Sequence, residues 1–148
     1  AYHRRQRQMC IRDSNKGANI LHTIRQFCKS DEQWRMILRG LNKEFYHQTV
    51  TTDQIENYID EQLEIDLKVF FDQYLRDPRV PTLEYSVHNG ILKYKWINTI
   101  EGFHMPLEIS AGEKKLKIHP TNEIQEMKLN FEDITVDRDY YVFKSKID

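Results

Sequence analysis

Glycine, proline and cysteine are all scarce in this chain of 148 residues, at five, four and two. So little Gly and Pro excludes a linker or low-complexity protein. The two cysteines, Cys10 and Cys28, form no C-x-x-C, so neither a disulfide scaffold nor a cysteine zinc knuckle is indicated. The redox compartment stays open. Long apolar runs are also missing. Val69-Phe70-Phe71 is typical of the longest, too short for a transmembrane helix. The basic N-terminus lacks the apolar stretch that a secretory signal places behind it. Nor is there an excess of one charge: 22 Lys plus Arg stand against 23 Asp plus Glu, a net −1. A dedicated nucleic-acid binder carries a basic excess, so the balance argues against that class. What is present is 39% hydrophobic and 30% charged residues, a modest core for one ordinary domain or two small ones.

Residues 1–14 do not match the rest. They read AYHRRQRQMCIRDS, with four Arg and one Asp and no helical or strand period. The remainder carries 18 Lys plus Arg against 22 Asp plus Glu. A basic arm for an acidic partner is one reading, through Arg4, Arg5, Arg7 and Arg12. A disordered terminus is another. The string Met9-Cys10-Ile11-Arg12-Asp13-Ser14 resembles the translated sequencing-adapter tails of metagenomic fragments, and a non-native tail is the preferred reading.

From Asn15 the pattern is helical. Ile20, Leu21, Ile24, Phe27 and Cys28 fall on one face of an amphipathic helix. Ser30 with Gln33 has capping-box spacing, followed by Trp34, Ile37, Leu38, Leu41 and Phe45. Gly40 weakens that helix without breaking its period. His47 to Thr52 reads as a loop. Thr51 with Gln54 opens a third helix through Ile55, Tyr58, Ile59 and Leu63. Asp66 is the expected N-cap of a fourth, with Leu67, Phe70, Phe71, Tyr74 and Leu75 on its apolar face. Pro78 and Pro81 stop it.

After Pro81 the period becomes two. Leu83, Tyr85 and Val87 alternate with polar residues, Asn89-Gly90 is a hairpin signal, and Leu92, Tyr94 and Trp96 return. Further strands are expected at Leu107/Ile109, Leu116/Ile118, Met127/Leu129/Phe131, Ile134/Val136 and Tyr140–Phe143. Six or seven short strands at this spacing suggest a small antiparallel sandwich. The fold class is therefore α+β, with residues 15–80 helical and 81–148 β.

No complete catalytic set is visible. None of the six histidines has another at i+4, and no H-E-x-x-H, G-x-S-x-G, P-loop or G-x-G-x-x-G occurs. His22 reads as a helix-surface residue with a satisfied hydrogen bond, and His47 as a loop residue. Glu56, Asp60, Glu61 and Glu64 share one predicted helix, where a solvated face is preferred over acid/base work. Asn15-Lys16-Gly17 before a helix hints at an anion site. Tyr85, Tyr94 and Trp96 read as sheet core rather than a stacking platform.

One stretch says more. Asn15-Lys16-Gly17-Ala18-Asn19-Ile20-Leu21-His22-Thr23-Ile24-Arg25 resembles a segment of the zinc aminopeptidases of the membrane-alanyl and leukotriene-hydrolase type, a gluzincin family. Trp34 to Leu41, Phe45 to Thr51 and Phe70-Phe71-Asp72-Gln73-Tyr74-Leu75 resemble later blocks of a bacterial member. Val80-Pro81 resembles the turn into that family's small β-sandwich. The resemblance spans Asn15 to Asp148. It implies that residues 15–80 are the helical end of a thermolysin-like catalytic domain and 81–148 the following β-sandwich.

In that family a zinc ion held by two His and a Glu activates a water, and the Glu of H-E-x-x-H is the general base. A tyrosine hydroxyl stabilises the oxyanion. Another Glu, in a G-x-M-E-N-type motif, holds the substrate amino group. Here the zinc ligands, the base and the amine-binding motif would lie upstream of Asn15, and the family's tyrosine position is occupied by Ser14. A serine hydroxyl is too short to reach the oxyanion. The resemblance thus assigns no catalytic residue and no metal ligand to this chain. His22 and Arg25 are scaffold. Peptide substrate and zinc belong to the parent enzyme, the fragment is expected to be inactive without bound zinc, and its helical face packs on the absent zinc-binding domain. Bacterial relatives lean towards export. The rival readings are a non-catalytic scaffold of the same fold, in which Ser14 is native, and an unrelated helical-plus-β adaptor with a basic arm.

Overall fold

A computed structural model describes residues 16–63 and 66–147. Four helices precede two small sheets, one mixed and one antiparallel. The described part of α1 is residues 16–25. It is followed by α2 (Asp31–Glu44), α3 (Thr52–Leu63) and α4 (Lys68–Arg76).

Local sequence sets most of these boundaries. Ser30 caps α2 by accepting from the Gln33 N–H at 3.2 Å, while Gln33 Oε1 accepts from Lys29 N at 2.8 Å. Thr51 and Gln54 form the full reciprocal box of α3, with bonds of 3.3 and 2.9 Å. Two expectations shift. Helix α1 stops at residue 25, and Phe27 and Cys28 lie in the turn after it, still packed against the core. The N-cap of α4 is Leu67 rather than Asp66. Asp66 Oδ1 accepts from Lys68 N at 3.0 Å, and Asp60, near the end of α3, accepts from Leu67 N at 2.7 Å. The start of α4 is therefore fixed by α3. Gly40 has a packing reason: a methyl group there would meet the Tyr58 hydroxyl of α3.

Seven strands follow: β1 (Thr82–His88), β2 (Ile91–Ile97), β3 (Leu107–Ala111), β4 (Lys114–Ile118), β5 (Gln125–Lys128), β6 (Thr135–Val136) and β7 (Phe143–Lys146). The Asn89-Gly90 hairpin forms as read, with both residues at positive φ (52° and 74°) and His88 paired to Ile91. One sheet has the order β5-β2-β1-β7 and the other β4-β3-β6. The expected purely antiparallel arrangement is corrected at β7, which pairs parallel to β1, Thr82 opposite Phe143. The strand begins where Tyr140–Phe143 was expected to end. Tyr140 and Tyr141 are instead spent on packing, Tyr140 buried and Tyr141 stacked on Tyr74 with centroids 5.9 Å apart. Likewise β5 stops at Lys128, and Leu129 is buried beyond it, its N–H bonded to Gly90 O at 2.7 Å.

The inward faces, Leu83, Tyr85, Leu92 and Trp96 from one sheet and Leu107, Ile109 and Ala111 from the other, enter one core with Phe103 and Met105. The same core continues through Tyr74, Phe70 and Phe71 of α4 to Ile24 of α1 and Ile59 of α3. Three buried polar side chains tie helices to sheets. Thr23 Oγ1 accepts from Tyr141 N at 3.0 Å. Tyr74 Oη donates to Tyr141 O at 2.7 Å. Gln73 accepts from Ile100 N at 2.6 Å and donates to Arg79 O at 3.1 Å. Each satisfies a main-chain group that burial would otherwise leave unpaired.

Candidate functional site

The described surface has two adjoining concavities on the helical half. The first is an apolar groove of about 190 Å³ between α1, α3 and α4. Amphipathic spacing brings Ile20 and Ile24 of α1, Ile59 of α3 and Phe71 of α4 to its floor, all buried. Leu21, Ile55 and Leu75 stand at its rim, exposed by 43%, 37% and 42%. Gly17 lines the same groove, with nothing within 4 Å of where a Cβ would sit.

The second is an open, acidic groove of about 520 Å³, lined among others by Asp53, Glu56, Asp60, Asp66 and Asp72, with Lys68 and Arg76 as its cations. Glu56 and Phe71 line both, so the two grooves adjoin. Arg76 organises the acidic one. Its guanidinium donates bidentately to Glu56 at 2.9 and 2.8 Å, to Asp72 at 3.1 Å and to Asp53 at 3.3 Å. The Glu56 bonds are the main reason the guanidinium holds its proton more tightly than usual.

This corrects the solvated-face reading of the α3 carboxylates. Glu56 is buried and ion-paired, and Asp60 is half-buried on the α4 N-terminus. Glu61 is exposed as expected, and Glu64 lies outside the described residues. The signal was available in principle: Glu56 and Arg76 both fall beside apolar stripes, but their sequence separation hid the pairing.

The other named residues are dispersed. Ser14, Asn15, Cys10 and the four arginines of residues 1–14 lie outside the described residues. His22 is exposed and its Nε2 lies 2.7 Å from Asp139 Oδ1, the satisfied surface role expected of it. Arg25 donates to Asp31 at 3.2 and 2.9 Å, which holds the Asp31 carboxyl below its ordinary range. His47 lies in the loop before α3 at φ 55°. Tyr85, Tyr94 and Trp96 are core, with Tyr85 Oη bonded to Asp133 at 2.7 Å. Burial raises the Cys28 thiol, which is half-buried and not poised as a nucleophile.

Among the described residues no three His, Cys, Asp or Glu side chains form a group that could hold a metal ion. No described helix is long and apolar enough to cross a membrane. A scan of protein-family models finds no match to the chain, and a search of curated proteins finds no relative.

Proposed function

We propose that residues 15–148 are the C-terminal part of a bacterial zinc aminopeptidase, the helical end of its thermolysin-like catalytic domain followed by a small β-sandwich. The supporting observation is the place of each block of the resemblance. Lys16 to Arg25 is helix α1, Trp34 to Leu41 lies in α2, Phe45 to Thr51 is the α2–α3 loop, and Phe70 to Leu75 lies in α4. Val80-Pro81 immediately precedes β1. The apolar groove agrees with a helical half that is covered in the parent protein.

The described residues do not fit a zinc site, since no ligand set converges among them. In this reading the ion is held by residues upstream, and this chain supplies the wall behind the cleft. No catalytic step is assigned to its side chains. The alternative, a non-catalytic scaffold of the same fold, keeps the same structure and differs only in what precedes Asn15. Reading the source DNA across codon 14 and upstream separates them. A Tyr codon in place of Ser14 behind an H-E-x-x-H and a distal Glu supports the enzyme. A native Ser14 behind a true start codon overturns it.

A further inference from the structure

The adjoining apolar and acidic parts of the groove on the helical half have a chemistry that selects its occupant. Its apolar part is lined by helical residues alone, so no unpaired strand edge adjoins it and main-chain addition is unavailable. A side chain entering it meets Ile24, Ile59 and Phe71 and covers Leu21, Ile55 and Leu75. The neighbouring acidic rim is unevenly committed. Glu56 is fully engaged by Arg76, and Asp60 and Asp66 accept main-chain N–H groups at the start of α4. Asp53 and Asp72 each make one bond to Arg76 and retain acceptor capacity, with the Asp53 side chain 81% exposed. Five carboxylates face two cations there. An occupant covering that rim without a cation would strand negative charge in a drier setting. A second copy docking by the same face would set two acidic rims against each other.

We propose that this groove seats an amphipathic helix whose apolar stripe lies on Leu21, Ile55 and Leu75 and whose Arg or Lys reaches Asp53 and Asp72. Placing that helix in the upstream domain of the same polypeptide rests on the function proposed above. The occupant's chemistry rests on the groove.

The chain is titrated with labelled helical peptides that share one Leu stripe and carry Lys, Gln or Glu beside it. The Lys peptide binds most tightly, about tenfold better than the Glu peptide at low salt, and the gap narrows as salt rises. Asp53→Asn with Asp72→Asn costs the Lys peptide about fivefold and the Gln peptide little. Leu75→Glu abolishes binding of every peptide. Circular dichroism checks each variant, and Leu21→Glu replaces Leu75→Glu if the latter unfolds. Equal binding of the three peptides, no binding, or indifference to the groove variants overturns the proposal. So does self-association that Leu75→Glu abolishes, which gives the groove to a second copy. Charge-selective peptide binding with no zinc motif upstream overturns the enzyme reading alone, and a zinc motif with charge-indifferent peptides overturns this inference alone.

Discussion

The helical and sheet halves both expose large apolar side chains, but in the helical half three of them line one groove, which Met36, Leu38 and Tyr46 do not. In the sheet half Ile91 and Phe143 stand near opposite ends of the outer face of the β5-β2-β1-β7 sheet. Between them run the ion pairs Lys93–Glu126 and Lys95–Glu84, at 3.5 and 3.8 Å. Scattered apolar residues of that kind are ordinary surface. In the helical half Leu21, Ile55 and Leu75 converge on one groove with a wholly apolar floor. Such convergence is the arrangement the proposed helix would use. The sheet edges carry their own protection: β4 presents Lys114, Lys115 and Lys117 to solvent.

The comparison is sharpened first by the core of the sheet half. Trp96→Ala empties a fully buried site against Phe103 and should cost about 3–5 kcal/mol, read from the denaturant midpoint. Next comes the seam. Gln73→Leu keeps the volume but strands the Ile100 N–H and the Arg79 carbonyl, a loss of about 2 kcal/mol. Native-state hydrogen exchange then shows α4 amides losing protection ahead of those in β1 and β2. Uniform loss across both halves would dissolve the distinction between them.

Acid supplies a smaller effect, which in the sheet half centres on Asp133. The Tyr85 hydroxyl, then the Ile134 N–H, Lys146 and Lys144, hold the Asp133 carboxyl below its ordinary range. A depressed folded-state value means that this stabilisation is present above the unfolded aspartate value and disappears as pH falls through the folded one. Asp133→Asn should therefore melt below the wild type at neutral pH, with the gap closing below about pH 4. The smallest effect belongs to the groove. Leu75→Ser should change stability by no more than about 0.5 kcal/mol while reducing binding of an apolar dye, because its side chain is already 42% exposed.

Local signals in the sequence carried over where the structure is local. The Asn89-Gly90 turn, the Thr51–Gln54 box and the switch from helix to strand after Pro81 depend on neighbours in the chain. What failed depends on distant partners. Nothing near Phe143 reveals that β7 will lie parallel to β1. Nothing near Thr23 or Gln73 reveals that a polar helix residue will be buried under a strand connection. Glu56 resembled a solvated carboxylate because Arg76 is twenty residues away. The candidate groove was legible only as apolar stripes on separate helices, and its acidic rim emerges from packing α3 on α4.

Under the function proposed above, the groove bordered by Leu21, Ile55 and Leu75 is covered by upstream residues of the parent protein, while the sheet half shares its core with α4 in either case. Leu75→Cys, introduced into this chain and into the protein encoded by the extended reading frame, allows one thiol-labelling measurement followed by mass spectrometry. The account predicts rapid modification at position 75 in the short chain and strong protection in the long one. Equal rates at position 75 in both would contradict it.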